Sequence, residues 1–119
     1  MDQAEEVSVN TLDGFCKKNN ISTIDFLKID VEGNEYKVLL GAQKMIKAGK
    51  ISFIQFEFGG TDIDARIFFF DFFKLLSGNY NLYRILKNGL WPINHYKETD
   101  EIFFTTNYLA VLNDVTVKA

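Results

Sequence analysis

Two apolar segments joined through a helical segment constrain the fold of this chain more than any other feature. Residues 24–30 (IDFLKID) and Ile51–Phe58 (ISFIQFEF) have the length of strands, and between them apolar residues recur at helical spacing from Val38 to Ile46. A strand, a helix and a strand in this order form a parallel pair with a right-handed crossover. The apolar members of residues 24–30 also predict cover on both faces of that strand, as in a parallel sheet.

The rest of the chain predicts helices and antiparallel strands around this unit. The predicted elements are a short strand at residues 7–9, a helix at 12–19 capped by Thr11, a helix from Thr61 or Asp62 to Ser77, strands at Tyr80–Leu86 and 90–93 joined by Asn88-Gly89, and a last strand to Leu112 that starts at Phe103 or Thr106. The helix ending at Ser77 is apolar nearly all round, which predicts packing on two sides. This order predicts a three-layer α/β domain with a mixed sheet edge.

The composition indicates one globular domain and argues against several classes of protein. The 119 residues include 12 Phe, 47% are hydrophobic, and the net charge is −3, so the chain is not disordered. No run of Lys or Arg exceeds two residues, which argues against a nucleic-acid partner. The single cysteine, Cys16, cannot form an internal disulfide or a zinc site, and we expect no metal. The chain has no membrane-spanning run and no signal peptide, so we expect a cytoplasmic protein.

Three carboxylates follow the two central strands. Asp30 and Glu32 come at the end of the first strand, and Glu57 lies near the end of the second. Right-handed crossovers bring both loops to one sheet edge, and neighbouring strands lie about 4.8 Å apart, so Asp30 and Glu57 come within reach of one ligand. Carboxylates there orient an amine or hydroxyl, act as a general base, or bind a hard cation. The alternative is that Asp30 and Glu32 cap loop amides and the start of the next helix.

Three other residues have both a functional and a structural interpretation, and a fourth has only a structural one. Arg66 clamps an anionic group of a substrate or pairs with Asp62. Asn107 either binds a substrate or has a structural role, in which its amide caps the edge of the last strand. His95, the only histidine, lies in a polar connection, where we expect it to be exposed rather than to shuttle protons, and we expect Cys16 in the core.

The stretches TLDGFCKKNNI and IDFLKIDVEGNEYKVLLGA closely resemble the FkbM-type S-adenosylmethionine-dependent methyltransferases. Their TLD-containing helix, KIDVEG-like strand end and LxGA helix correspond here to residues 11–13, 28–33 and 39–42. FIQFEFGG, LYRI, NGL and TTNYLAVL resemble later parts of the same family. The resemblance covers residues 7–112, which is nearly the whole chain.

The resemblance implies a partial class I methyltransferase fold, a Rossmann-like three-layer sandwich whose mixed sheet has antiparallel C-terminal strands. Residues 24–30 and Ile51–Phe58 would be the fourth and fifth strands of that fold, and Tyr80–Leu86 and Thr106–Leu112 the sixth and seventh. The resemblance also implies S-adenosylmethionine as the cofactor and a hydroxyl of a sugar or natural product as the acceptor.

The resemblance also implies roles for individual residues. It implies that the loop after the fourth strand, with Asp30 and Val31, lies beside the methionine end of the cofactor. Asp30 and Glu32 would then orient the acceptor or take its proton, and Glu57 would face the same cleft. Together with the substrate-binding interpretation of Arg66 and Asn107, these residues form the predicted site.

The chain lacks the glycine-rich loop and the ribose-binding acidic residue that the family carries upstream. Residues 1–119 are therefore predicted to be a single domain, a fragment that corresponds to the C-terminal half of a methyltransferase and is inactive in isolation. Such a fragment should bind S-adenosylmethionine weakly and expose an edge of the fourth strand, which would pair with the missing N-terminal half or with a second copy. Two alternatives are a non-catalytic α/β interaction module derived from this fold and a metal-assisted hydrolase built on Asp30, Glu32 and Glu57.

Overall fold

A computed structural model describes residues 10–102 and 104–115. The elements are α1 (Leu12–Lys18), β1 (Ile24–Ile29), α2 (Glu35–Leu40), α3 (Gln43–Lys47), β2 (Ile51–Phe58), α4 (Thr61–Ala65), α5 (Phe69–Leu76), β3 (Tyr80–Leu86), β4 (Gly89–Ile93), a short 3-10 helix (Glu98–Asp100) and β5 (Thr106–Leu112). The strand predicted at residues 7–9 and the alternative start of the last strand at Phe103 lie outside the described residues. Every other predicted strand is present.

The strands form one open mixed sheet in the order β1-β2-β5-β3-β4. β1 and β2 pair in parallel, whereas β5 pairs antiparallel with both β2 and β3, and β3 pairs antiparallel with β4. The predicted mixed sheet with antiparallel C-terminal pairings is therefore confirmed. In the numbering that the resemblance implies, the strands lie in the order fourth, fifth, seventh, sixth. Among the described residues, no helix is long and apolar enough to cross a membrane.

An aromatic layer fixes α5 on the middle of the sheet. The ring of Phe72 stacks on that of Phe56 of β2, with ring centroids 4.7 Å apart. The ring centroids of Phe69 and Tyr108 of β5 are 4.6 Å apart. All four side chains are buried. Aromatic pairs of this kind add roughly 0.5–1.5 kcal/mol to the burial of their apolar area. This layer therefore anchors β2, the strand that carries Glu57.

The TLD and LxGA motifs contact each other. The Asp13 carboxylate accepts hydrogen bonds from the N–H groups of Lys44 and Met45 at 2.9 and 3.0 Å, so it caps α3 from a neighbouring helix. The Asp13 N–H donates to the carbonyl of Gly41 at 2.9 Å. A Cβ at Gly41 would lie 3.1 Å from the Cβ of Thr11, so glycine permits this close approach. Two sequence motifs that are distant along the chain thus form one packing unit.

Both long predicted helices are broken in the structure. The predicted helix that carries the apolar residues from Val38 to Ile46 divides into α2 and α3, because Asp13 satisfies the N–H groups at the start of α3. The predicted helix ending at Ser77 divides at Arg66, which takes the left-handed conformation with φ 57° and ends α4. The carboxylate of Glu101 accepts hydrogen bonds from the N–H groups of Phe69 and Phe70, so a second helix, α5, begins at Phe69.

Two predictions about burial were also wrong. α5 buries one face rather than two, because Phe69 and Phe72 are buried while Phe68 and Phe70 remain exposed. β1 is covered on one face rather than both: Ile29 is buried, but Phe26 is 52% exposed. The apolar runs marked these elements, but they did not determine how many faces each one packs.

Gly59 brings the end of β2 against the segment that precedes β5. A Cβ at Gly59 would lie 2.6 Å from the Cα of Thr105 and 2.7 Å from its backbone nitrogen. Backbone atoms cannot move aside as a flexible side chain can. Glycine is therefore required for the path that the chain takes immediately after Glu57.

We predict that Gly59→Ala lowers the free energy of unfolding by about 3 kcal/mol, since overpacking against backbone is costly. Gly78 is the matched control, because a Cβ there would meet nothing within 4 Å. Gly78→Ala should leave the stability unchanged or raise it by up to about 1 kcal/mol. Urea unfolding followed by circular dichroism measures both variants, and equal effects would contradict the packing role of Gly59.

Candidate active site

The parallel register of β1 and β2 brings the predicted carboxylates together. Ile29 pairs with Phe56, so Asp30 follows β1 beside Glu57 in β2. Carboxylate oxygens of Asp30, Glu57 and a third acidic residue, Glu35, all lie within 4.8 Å of one another. Two of these three residues, Asp30 and Glu57, are the pair that strand geometry predicted.

Glu57 retains its proton more tightly than an ordinary glutamate. Burial raises the pKa of Glu57, and the negative charge of Asp30 together with a hydrogen bond between the two side chains raises this pKa further. The charges of Glu35 and Glu32 act in the same direction. When Glu57 is protonated, its O–H can donate this hydrogen bond to the Asp30 carboxylate.

Glu35 shapes the loop that follows β1. Its carboxylate is buried and accepts hydrogen bonds from the N–H groups of Val31 at 3.0 Å and Gly33 at 2.8 Å. Within this loop Glu32 takes a left-handed conformation with φ 45° and Gly33 has φ 96°. The sequence pattern alone did not predict this role of Glu35. The sequence feature that could have indicated it is an acidic residue in the first helical turn, directly after Gly33-Asn34. From this position a carboxylate can accept hydrogen bonds from the amides of the preceding loop.

Asp62 performs a related task in the loop that follows β2. It is buried, and its Oδ2 accepts from the N–H of Gly59 at 2.9 Å. Its Oδ1 has no hydrogen-bond partner in the described part of the chain. Burial raises the pKa of Asp62, the Gly59 hydrogen bond lowers it, and the charge of Glu35 raises it. The predicted alternative for Arg66, a salt bridge to Asp62, is therefore not formed.

The other predicted site residues lie at different distances from the pair. Asn107 is the cross-strand partner of Glu57 on β5, so the two side chains share one face of the sheet. Val31 is exposed and donates its N–H to Glu35. Arg66 lies at the C-terminal end of α4, outside the carboxylate cluster. His95 is exposed, as predicted.

A small cavity opens beside the two loops. It has a volume of 370 Å³ and is lined by Glu32, Gly33, Asn34, Lys37, Thr61 and Ala65. Exposed apolar side chains flank the region: Val31 in the first loop, Ile63 in α4 and Phe104 next to the Gly59 contact. A larger cavity of 670 Å³ lies between α1 and α3. None of the predicted site residues lines that larger cavity, so size alone does not identify the site.

The cluster offers oxygen atoms only. Such a donor set suits general-base chemistry, a cationic ligand group, or a hard divalent cation. Each oxygen of Glu35 already accepts a loop N–H, whereas Asp30 and Glu57 bond to each other. Asp30 and Glu57 are therefore the members best able to act on a ligand.

We predict that Glu57→Gln stabilises the chain increasingly as pH rises from 4 to 8. The pKa of Glu57 is raised in the folded state. Its contribution to stability is therefore present below the pKa of the unfolded chain and is lost as pH rises through the folded-state pKa. The variant does not undergo this loss. Urea unfolding of both proteins across this pH range gives the difference in free energy of unfolding.

Glu98→Gln provides the control for this experiment, because Glu98 is exposed and is not among the groups that raise the pKa of Glu57. Its stability difference from the original chain should stay constant over the same pH range. A Glu57→Gln difference that also stays constant, or that shrinks with pH, would contradict a raised pKa of Glu57 in the folded chain.

Comparison with known proteins identifies one matching family. A family model of the methyltransferase FkbM domain matches residues 2–85. No curated protein and no solved structure matches the chain. The matched stretch contains Asp30, Glu32, Glu35 and Glu57 and ends within β3, so Asn107 lies outside it.

Proposed function

The chain belongs to the FkbM methyltransferase family, and on that premise we propose that it supplies the acceptor side of a methyl-transfer site. In this proposal the methyl donor is S-adenosylmethionine, and the acceptor is a hydroxyl group of a sugar or natural product. Asp30 and Glu57 hold the proton that the acceptor releases. The single observation that carries the proposal is the Asp30–Glu57 pair at the ends of two adjacent parallel strands.

The donor set of the site fits the cationic part of S-adenosylmethionine. The sulfonium and the amino group of this donor are positively charged, and the sheet edge presents the carboxylates of Asp30, Glu32 and Glu57. When bound, this donor supplies an activated methyl group that needs no covalent help from the protein. Asp30 and Val31 are the residues that would lie beside its methionine end. The sequence contains no glycine-rich phosphate or nucleotide loop, so we expect weak binding of the donor.

The chain's own residues then have two tasks, to orient the acceptor and to hold its proton. A hydroxyl loses its proton as it attacks, and a carboxylate within hydrogen-bond reach accepts that proton. Burial and neighbouring charges raise the pKa of Glu57, which makes its carboxylate a stronger base than an exposed one. Asn107 on the same face provides an amide that can orient the acceptor.

The surroundings favour an uncharged or cationic acceptor. The carboxylates of Asp30, Glu32 and Glu35 lie close enough to Glu57 to raise its pKa, so an anionic acceptor would meet strong repulsion. The exposed side chains of Ile63 and Phe104 offer apolar contact at the same edge. A polyhydroxyl compound with apolar faces satisfies both conditions, as a sugar does.

The interaction-module alternative uses a different surface. β1 lies at the edge of the sheet among the described strands, and its Phe26 is exposed. Such a module would pair this edge with another strand and would not need the Asp30–Glu57 pair. An experiment that maps a ligand to the strand ends therefore separates the two functions.

We predict that millimolar S-adenosylmethionine shifts the backbone amide resonances of residues 30–34 and 57–62 in a nitrogen-15 NMR spectrum of the chain. S-adenosylhomocysteine, which lacks the sulfonium charge, should cause smaller shifts because the site is acidic. Asp30→Asn should reduce the difference between the two ligands, since it removes one of the negative charges that attract the cation.

Asp100→Asn is the matched control, because Asp100 is not among the groups that act on Glu57. It should leave both responses unchanged. Shifts confined to the cavity between α1 and α3, or no shifts at all, would contradict the proposed function.

A further inference from the structure

We propose that Glu35 is a positioning residue that fixes the loop carrying Asp30 and Glu32 in the geometry the site needs, a role that rests on the proposed function. Its side chain does not act on the acceptor in this proposal. It acts through the backbone of residues 31–33, whose N–H groups it binds.

The contacts of Glu35 form a rigid two-point attachment. Oε2 accepts from the N–H of Val31 and Oε1 accepts from the N–H of Gly33, so both oxygens are used on one loop. The side chain is 1% exposed and lies in the first turn of α2, whose Leu39 is fully buried. Hydrogen bonds to a charged acceptor are stronger than those between neutral groups. The loop is therefore attached to a packed helix rather than held by its own turn.

The backbone of the loop shows what this attachment achieves. Glu32 occupies the left-handed region with φ 45°, a conformation that side chains other than glycine adopt rarely. Residues keep such conformations only where their surroundings over-determine them. The N–H groups on either side of Glu32, those of Val31 and Gly33, are the ones that Glu35 binds. Glu35 thus accounts for the unusual conformation of Glu32.

The same attachment joins the two loops of the site. A Cβ at Gly33 would lie 3.2 Å from the carbonyl oxygen of Thr61, so the first loop packs against the start of α4. There the buried carboxylate of Asp62 accepts a hydrogen bond from the N–H of Gly59, and the negative charge of Glu35 lies close enough to raise the pKa of Asp62. Moving the first loop would therefore disturb the packing that holds Asp30 opposite Glu57.

The test compares Glu35→Ala and Glu35→Gln with Glu32→Gln in the complete chain. Glu32→Gln is the charge control, because Glu32 also acts on Glu57 but accepts no loop hydrogen bond in the described structure. The first readout is amide hydrogen exchange measured by NMR. Exchange at Val31 and Gly33 should become faster on the order of tenfold in Glu35→Ala, which removes both hydrogen bonds. The acceleration should be smaller in Glu35→Gln, which retains one acceptor oxygen, and absent in Glu32→Gln.

The second readout reports on the site itself. Carbon-13 NMR follows the side-chain titration of Glu57, and Asp30→Asn is added to each background. Asp30→Asn should lower the pKa of Glu57 in the original chain and in Glu32→Gln. It should have little further effect in Glu35→Ala, because Asp30 no longer lies beside Glu57.

Three outcomes would overturn the proposal. The first is continued protection of Val31 and Gly33 in Glu35→Ala. The second is faster exchange throughout β2 and β5 in both Glu35 variants, which would make Glu35 a residue of the general fold. The third is an equal effect of Asp30→Asn in every background. None of these readouts requires a bound donor, so the absence of any response to S-adenosylmethionine would contradict the proposed function and leave this test intact.

Discussion

The parallel pairing of β1 with β2 is the constraint on which the rest of the structure depends. It aligns Ile29 with Phe56 and thereby places Asp30 next to Glu57. β5 then pairs with the other side of β2 and brings Asn107 opposite Glu57. The aromatic layer of Phe56, Phe72 and Tyr108 holds β2 in place from the covered face. A shift of one residue in this register would move Glu57 to the covered face of the sheet.

The site is built from acidic residues that repel one another, and the fold compensates for this repulsion locally. Glu35 and Asp62 are buried, and each accepts hydrogen bonds from amides of a neighbouring loop. Asp30 and Glu57 share a hydrogen bond instead. Clusters with perturbed pKa values are typical of functional sites, since a structure selected for stability alone has little reason to assemble them. The repulsion therefore supports a role in chemistry for the Asp30–Glu57 pair.

The sequence predicted the strands and the Asp30–Glu57 pair, because both follow from local patterns. Apolar runs marked Ile51–Phe58 correctly to the residue, and parallel strand geometry then implied the pairing of the two carboxylates. The breaks in the helices were not predictable in this way. They depend on the carboxylates of Asp13 and Glu101, which cap helices about 30 residues away along the chain. The role of Glu35 was missed because it depends on the exact path of the loop.

The central claim is that Asp30 and Glu57 form one site in which Asp30 raises the pKa of Glu57, and the side-chain titration of Glu57 tests it most directly. Carbon-13 NMR of the carboxyl groups can follow Glu57 between pH 3 and pH 9. We predict that Glu57 titrates above the ordinary range of a glutamate, because burial and the charge of Asp30 raise its pKa. A titration of Glu57 at the ordinary pKa of a glutamate would show that Asp30 does not act on it and would contradict this claim.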